Sequence, residues 1–297
     1  MRIAVTGSTG LIGTALVTRL HAAGHEVVRL VRRAPRADDE VRWNPARGEA
    51  DLSGLTGVEG AVHLAGAGVG DRRWTAGYKR TILDSRVDGT RTLAMALTGL
   101  DPRPRVLVSG SAVGFYGDRG DEVLTENSSG GEGFLPGVVR EWEAAAAPAV
   151  DAGIRVAFAR TGLVLARQGG ALARMLPLAR LGLAGPLGRG EQWWPWISLA
   201  DEVRAIEFLL EKDLPGPVNL SAPQPVRQGD LARALGRALR RPALFPAPAL
   251  GLRLVLGEFA DGVLASQRML PSRLLDAGFV FNQRTVDQAM DWALRQT

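Results

Sequence analysis

A glycine-rich segment near the start of the chain lies between two apolar runs. The first run, at residues 2–5, leads into TGSTGLIG at residues 6–13, where the glycines follow a G-x-x-G-x-x-G spacing. A helical pattern over Leu11–Ala23 then stops at Gly24, and a second apolar run covers Glu26–Val31. This order predicts a β-α-β unit, and with it an α/β protein built on a Rossmann-type doubly wound parallel sheet.

The loop of this unit is predicted to hold the pyrophosphate of a dinucleotide. Gly7 permits the tight turn, Gly10 lets backbone N–H groups approach the phosphates, and Gly13 allows the helix to pack closely on the strand. The N-terminus of the helix adds positive potential. A structural turn without a ligand is the alternative, and the strand–loop–helix–strand order disfavours it. The residues expected at this part of the cofactor site are Gly7, Ser8, Thr9, Gly10, Leu11, Ile12 and Gly13.

The end of the second predicted strand indicates which dinucleotide binds. An NAD site usually has an acidic residue there for the ribose hydroxyl, whereas this chain reads RLVRR at residues 29–33 and has no carboxylate until Asp38. Arg32 and Arg33 are placed to bind a 2′-phosphate, because a guanidinium matches phosphate oxygens bidentately. We therefore expect NADP. The alternative is that both are solvated arginines of an arginine-rich surface.

Composition excludes several classes of function. Lys and Arg number 36 against 31 Asp and Glu, but the arginines are spread along the chain, so we expect no nucleic-acid partner. With no cysteine and three scattered histidines, we expect no disulfide, no thiolate chemistry and no metal site. No stretch of about 18 apolar residues and no leader pattern occurs, so we expect a cytoplasmic protein without a membrane partner. The sequence leaves open whether the chain forms a homodimer.

Further motifs follow the later apolar runs. Gly60–Leu64 leads into Ala65 and Gly66, and Arg105–Ser109 leads into SGSAVGFYG at residues 109–117. Ile154–Phe158 leads into RTGLVL, and WISLADEV follows at residues 196–203. The carboxyl ends of parallel strands meet at one edge of an open sheet, where ligands bind. These loops are therefore expected to face the cofactor and its substrate.

Two more segments complete a family pattern: RW…DSR at residues 73–86 and FL…WE at residues 134–143. The succession resembles the atypical extended short-chain dehydrogenase/reductases, and within them the YfcH-like "epimerase family" branch, along nearly the whole chain. The resemblance implies an NADP-binding domain of residues 1–165 that also receives about 190–225. It implies a smaller, mostly helical C-terminal substrate lobe of residues 226–297 with about 166–189, in which we expect a helical run over Leu250–Leu264. It also implies cofactor contacts at Leu64, Ala65, Gly66, Arg86 and, through its backbone, Leu163.

Arg86 stands where the wider superfamily usually has an asparagine facing the active site, because RVDGT at residues 86–90 matches the pattern N-V-x-G-T. The resemblance assigns the DSR arginine to the cofactor site, where a guanidinium would bind phosphate or ribose. The alternative is an ion pair on the helix surface with Asp84 or Asp88.

The acid/base pair of the superfamily is missing. Its members use a Tyr-x-x-x-Lys pair, in which the lysine lowers the pKa of the tyrosine so that the phenol exchanges a proton. The tyrosines here are Tyr78 and Tyr116, and neither has a lysine at that spacing. Ser111 stands at the position that resembles the carbonyl-holding serine, and Tyr116 lies in the same loop. We take Ser111 and Tyr116 as the candidate catalytic residues; for Ser111 the alternative is a loop hydroxyl bonded to the backbone.

Two functions from different classes are compatible with this sequence. The first is an NADP-dependent oxidoreductase or epimerase-like enzyme that acts on a small or nucleotide-linked carbonyl compound with noncanonical acid/base chemistry. The second is a catalytically silent NADP(H)-binding protein that senses the cofactor or supports a partner, which the missing pair favours. An open pocket lined by Ser111 and Tyr116 would favour the enzyme, and a cleft filled by the C-terminal lobe would favour the silent protein.

Overall fold

The computed structural model describes residues 1–295, and it contains fourteen strands in that part of the chain. They are β1 (Arg2–Thr6), β2 (Glu26–Val31), β3 (Glu40–Asn44), β4 (Glu49–Ala50), β5 (Gly60–His63), β6 (Val106–Ala112), β7 (Val123–Leu124), β8 (Arg155–Thr161), β9 (Leu163–Leu165), β10 (Trp193–Trp194), β11 (Trp196–Ser198), β12 (Gly216–Leu220), β13 (Val226–Arg227) and β14 (Arg268–Met269).

The α-helices of residues 1–295 number eleven. They are α1 (Leu11–Ala22), α2 (Ala76–Thr98), α3 (Phe134–Ala144), α4 (Ala147–Asp151), α5 (Gly170–Arg180), α6 (Leu199–Glu211), α7 (Gln228–Leu239), α8 (Ala249–Leu256), α9 (Phe259–Leu264), α10 (Ser272–Asp276) and α11 (Val286–Arg295).

Eight of the strands form one sheet in the order β4-β3-β2-β1-β5-β6-β8-β12. All neighbours are parallel except β4, which runs antiparallel to β3. The strand order reverses between β1 and β5, so the helices that follow these two strands, α1 and α2, pack on opposite faces of the sheet. The expected doubly wound α/β fold is confirmed.

Helices cover both faces of the sheet, as the residues of β1 show. Ile3 and Val5 pack in one core with Leu16 of α1 and Ile206 of α6, whereas Ala4 packs in a second core with residues of α2 and α4. Side chains alternate across a strand, so a buried parallel strand needs apolar residues at every position. The unbroken apolar run at the start of the chain follows from this.

The residues after β12 are mostly helical, and α7 and α11 pack with α5 in a third core. The single helix expected over Leu250–Leu264 is wrong: Gly257, at φ 62°, ends α8, and α9 begins two residues later. A left-handed residue cannot continue a right-handed helix. The domain boundaries expected from the family resemblance stay a prediction. No helix within residues 1–295 is long and apolar enough to cross a bilayer.

Candidate active site

The loops after β1 and β5 are packed against each other where the strand order reverses. Gly7 lies at φ +68°, and a Cβ atom there would stand 2.7 Å from the carbonyl carbon of Leu64. The Thr6 hydroxyl accepts hydrogen bonds from the N–H groups of Leu64 and Ala65 and lies 2.8 Å from Nδ1 of His63. Burial lowers the pKa of His63 to about 3, so the ring is neutral. These contacts fix the two loops against each other at the crevice where the strand order reverses.

The start of α1 has the features of an anion site. A Cβ atom on Gly13 would stand 2.1 Å from the carbonyl oxygen of Gly7, so the helix reaches the loop only because this residue is glycine. No side chain caps the helix at Gly10, and its first turn contains no acidic residue. Its first N–H groups are thus left for a ligand. At Gly10 the nearest atom to a built Cβ is 3.3 Å away, so space remains above the loop.

Arg33 forms an ion pair with Glu40 that the sequence pattern did not predict. Its Nη1 and Nη2 donate to the two carboxylate oxygens of Glu40 at 2.7 and 2.6 Å. These bonds lower the pKa of the Glu40 carboxyl to about 2, so it stays ionised. Arg32 is exposed and makes no ion pair within residues 1–295. Arg33 is consequently oriented by β3, while Arg32 is available to a ligand at the end of β2.

A cavity of about 580 Å³ opens beside this crevice, between the carboxyl edge of the sheet and α9. Polar and charged side chains from α2, the loop after β6 and the start of α9 reach it, among them Lys79, which pairs with Glu258. One wall is apolar and aromatic. That wall consists of Val69, Trp74, Phe134, Leu135, Val138, Val139 and Trp142.

The apolar wall of α3 offers no acid or base to the cavity. Helix α3 carries Leu135, Val139 and Trp142 toward the cavity, at the spacing that puts residues on one face of a helix. None of these side chains exchanges a proton. A proton donor for a carbonyl substrate must therefore come from another wall.

Ser111 belongs to a buried network rather than to the cavity wall. Its hydroxyl donates to Oε1 of Glu143 at 2.6 Å, and both Glu143 oxygens accept from Arg160 at 2.9 Å. Glu143 comes from the FL…WE segment and Arg160 from the RTG segment. Those motifs were the signal that could have identified the pair. The network holds the ends of β6, β8 and α3 together.

The role expected for Tyr116 does not fit its position. The side chain is fully buried and does not line the cavity among the residues described. Its hydroxyl lies 2.7 Å from Oδ1 of Asn219, to which it donates, and accepts from Arg160. Burial raises the pKa of the phenol above its ordinary value. Tyr116 is thus a protonated core group, too deeply buried to meet a substrate.

Arg86 is a mostly buried cation that lines the cavity. Its Nη1 donates to the carbonyls of Ala67 and Ile82 at 2.9 and 3.0 Å, and the guanidinium lies 4.9 Å from the Trp142 ring centroid. Burial lowers its pKa to about 10, which leaves it charged at neutral pH. It makes no ion pair within residues 1–295, so the alternative pairing with Asp84 or Asp88 does not occur there. A charge held in this way is able to bind an anion.

The group that sequence reasoning missed is Thr161 with Glu202. Thr161 ends β8 and lines the cavity beside Gly162, and its Oγ1 is 2.8 Å from Oε1 of the fully buried Glu202. Burial raises the pKa of Glu202 to about 8, and its Oε2 has no hydrogen-bond partner in the described chain. The carboxyl is therefore protonated at neutral pH. Each residue lies in a segment that the sequence singled out, RTGLVL and WISLADEV, but their pairing arises only where β8 meets α6 in the fold.

Leu163, expected at the nicotinamide edge, lies just beyond this pair. Its N–H donates to the carbonyl of Pro195 at 2.6 Å, and β9 pairs with β11. Thr161 and Gly162 reach the cavity, whereas Leu163 is not among the described lining residues. The expected contact of Leu163 with the cofactor stays a prediction.

Comparison with known families agrees with this architecture. The model of the "NAD dependent epimerase/dehydratase family" matches residues 3–221, which include every strand of the large sheet except the first residue of β1. The chain belongs to this family. A second model, a domain of unknown function designated DUF1731, matches residues 247–293, which begin just before α8.

Members of the family resemble the chain over most of its length. An epimerase family protein of Mycobacterium tuberculosis is 45% identical over 98% of this chain and 97% of its own, and human epimerase family protein SDR39U1 is 37% identical over 95% and 96%. A crystal structure of human SDR39U1 with NADPH covers 100% of both chains at a TM-score of 0.91 and 34% identity. A nucleoside-diphosphate sugar epimerase from Corynebacterium glutamicum covers 98% of this chain and 58% of its own, with a TM-score of 0.79 and 36% identity.

Proposed function

We propose that this chain is an NADP(H)-dependent oxidoreductase that reduces a carbonyl compound with an apolar body. The observation that carries the proposal is the open cavity at the carboxyl edge of the sheet, which is lined by the apolar α3 wall and by Thr161. A cleft kept open beside a dinucleotide crevice favours an enzyme over a silent binder. The apolar wall favours substrates without many hydroxyl groups.

The residues present fit a phosphorylated dinucleotide. Gly7, Gly10 and Gly13 leave the uncapped start of α1 open to a pyrophosphate, and Arg32 and Arg33 lie where a 2′-phosphate would bind. The crystal structure of the human relative with NADPH supports this choice of cofactor. Such a cofactor supplies a hydride when it is bound. The proposed site also includes Ser8, Thr9, Leu11, Ile12, Leu64, Ala65, Gly66, Arg86 and Leu163.

Thr161 supplies the proton in this proposal. A carbonyl that gains a hydride at carbon needs one proton at oxygen, and the Thr161 hydroxyl donates it and takes one back from Glu202. Glu202 is left as a carboxylate, and after the product has left it regains a proton through the Thr161 hydroxyl from water that enters the cavity. Burial keeps it protonated at neutral pH, as a proton donor must be. Thr161 is the catalytic residue here, and Glu202 is a positioning and proton-storing residue behind it.

The silent NADP(H)-binding protein stays the second candidate. It is favoured because both residues predicted to be catalytic already have partners inside the protein: Ser111 is bonded to Glu143, and Tyr116 is buried against Asn219. Under this candidate the cavity receives no substrate that accepts a hydride, and the Thr161–Glu202 pair only stabilises the fold.

The two candidates are separated by binding and turnover measured on the same samples. NADPH affinity is measured by calorimetry, and NADPH oxidation is followed against a panel of aliphatic and aromatic aldehydes and ketones. Glu202→Gln and Thr161→Val are expected to leave NADPH affinity unchanged and to lower kcat by about 10²-fold or more. Glu211→Gln, on the exposed side of the same helix, is the matched control.

The pH profile identifies the proton donor. In the unmodified enzyme, kcat is expected to fall as the pH rises through about 8, where Glu202 loses its proton, and this limb is expected to be absent from Glu202→Gln. Ser111→Ala and Tyr116→Phe are expected to retain the limb. NADPH binding without oxidation by any member of the panel would favour the silent protein. A rate that follows Ser111 or Tyr116 and ignores Thr161 would refute this proton path.

A further inference from the structure

Large apolar side chains are exposed mainly on two segments of the C-terminal half. Eight of them are between 50% and 76% exposed, although such residues normally lie inside a protein or scattered singly on its surface. The eight are Leu178, Leu181, Leu183, Leu244, Phe245, Leu250, Leu254 and Val255.

The two segments adjoin each other. The backbone of residues 185–188 runs beside that of residues 245–247, where Gly188 donates to the carbonyl of Ala247 at 2.8 Å and Ala247 donates to that of Pro186 at 2.8 Å. A Cβ atom on Gly185 would stand 2.2 Å from the carbonyl oxygen of Phe245. We call the surface formed by residues 178–188 and 240–255 the lobe face.

Helix α8 lacks the buried side that packed helices have. None of its residues is buried, although five of the eight are leucine or valine. A surface helix of a globular protein normally turns its apolar stripe to the core. In α8, Leu252 and Leu256 are half-buried, whereas Leu250, Leu254 and Val255 are exposed on the outside of the molecule.

The charge of the lobe face indicates what lies there. The lobe face contains four arginines and no Asp or Glu. Arg253 pairs with Asp261, but Arg180, Arg240 and Arg241 form no ion pair within residues 1–295. A second copy of this face would meet it with the same charge. An anionic surface would be attracted by it.

Arg240 has a backbone conformation that residues other than glycine rarely adopt. It lies at φ 55° directly after α7, and it is the only residue of the described chain other than glycine with a positive φ. Glycine is the usual choice at this position, because a side chain there strains the backbone. A function for its charge would explain why an arginine, rather than a glycine, occupies this strained position beside Arg241 at the border of the lobe face.

We propose that the lobe face docks on the surface of an anionic lipid bilayer. The apolar side chains of α8 and of its neighbours enter the boundary between head groups and acyl chains, and the three unpaired arginines lie on lipid phosphates. The expectation of no membrane partner rested on the absence of a spanning segment, which a surface contact does not require. Because α9, directly after α8, lines the cavity, a docked molecule would place its cavity near the bilayer.

The test is flotation of the full chain with vesicles of phosphatidylcholine alone or with one quarter phosphatidylglycerol. We expect binding to the anionic vesicles that is about tenfold or more stronger than to the neutral ones and that falls with added salt. Leu254→Ser and the pair Arg180→Glu with Arg241→Glu are expected to lose most of it. Val280→Ser is the matched control, because Val280 is 70% exposed but lies outside the lobe face.

Arg240→Gly keeps the test independent of misfolding. This variant relieves the backbone strain, so it is expected to melt at a higher temperature than the unmodified chain while binding anionic vesicles more weakly. Equal binding to both kinds of vesicle, or binding that the lobe-face variants leave unchanged, would overturn the proposal. So would a dimer, seen by sedimentation, that Leu254→Ser dissociates in a chain that binds no vesicles.

Discussion

At the scale of single residues, two carboxylates decide what the site can do, and they lie in opposite electrostatic situations. Glu40 is bonded to Arg33 and stays ionised, whereas Glu202 has no cation near it and stays protonated. The first orients Arg33, and in the proposed function the second stores a proton. Both are the same residue type, and only the surrounding atoms distinguish them.

Cofactor preference tests the arginines after β2. Replacing Arg32 and Arg33 together with Ala is expected to remove a preference for NADPH over NADH of about tenfold or more, because charge-assisted bonds to the 2′-phosphate are lost. Calorimetry with both cofactors measures it. Arg36→Ala is the control, since only the backbone N–H of Arg36 is bonded to Glu40. Equal affinities of the unmodified chain for NADPH and NADH would contradict the assignment.

The pH dependence of stability tests the state of Glu202. Its pKa is about 8 in the folded chain against an ordinary 4.5, so its favourable contribution is complete below pH 4.5 and is lost as the pH rises to about 8. Relative to Glu202→Gln, the unmodified chain is expected to lose about 1.4 kcal/mol of unfolding free energy per pH unit across that window. Urea unfolding of both proteins at several pH values measures the difference. A pH-independent difference would show that Glu202 is ionised in the fold.

At the scale of elements, the β1–α1 junction assigns different tasks to glycines of one motif. Gly7 and Gly13 are required by internal packing, since side chains there would meet backbone atoms at 2.7 and 2.1 Å. Gly10 is less constrained by the protein itself, and its missing side chain leaves space for a ligand. The motif thus combines a folding requirement with a binding requirement.

Substitutions separate these two requirements. Gly13→Ala is expected to lower stability by about 1–3 kcal/mol through overpacking against Gly7. Gly10→Val is expected to abolish NADPH binding while the circular dichroism spectrum stays that of the folded chain. Thermal melting and calorimetric titration of both variants give the two readouts. Normal NADPH binding by Gly10→Val would mean that the pyrophosphate lies elsewhere.

At the scale of the whole molecule, α6 joins the sheet to the C-terminal residues. Asp201 is fully buried, and its carboxylate accepts from the N–H groups of Asn282 and Gln283 at 2.9 Å each and from Arg204 at 2.7 Å. One carboxylate therefore joins α6 to the segment at residues 282–283. The neighbouring Glu202 is bonded to Thr161 from the same turn of α6. This turn therefore positions both Asp201, which holds the C-terminal segment, and the carboxyl that is proposed to store a proton.

Removal of the anchor is expected to loosen the C-terminal residues first. Asp201→Ala leaves two backbone N–H groups and a guanidinium without their acceptor, which is expected to cost about 3 kcal/mol of unfolding free energy. Urea unfolding measures the loss, and limited proteolysis is expected to cut near residue 282 sooner than in the unmodified chain. Asp276→Ala, at an exposed carboxylate, serves as the control. Unchanged proteolysis would show that other contacts hold this segment.

The sequence alone was sufficient for the fold and the dinucleotide crevice. Strand, loop and helix follow one another within about thirty residues at the β1–α1–β2 unit, so local patterns carry that information. The missing Tyr-x-x-x-Lys pair was also visible in the linear order. The same patterns did not reveal that Gly257 divides the helix expected after Leu250.

Only the tertiary structure showed where the chemistry of the cavity lies. Ser111 and Tyr116 are near each other in sequence, yet one is bonded to Glu143 and the other is buried, whereas Thr161 and Glu202 are 41 residues apart and adjacent in space. Burial and hydrogen bonding set the protonation state of a carboxyl, and both depend on atoms brought together from distant parts of the chain. The sequence contains the residue types that can exchange a proton, and in the proposed function the packing of β8 against α6 decides which of them does.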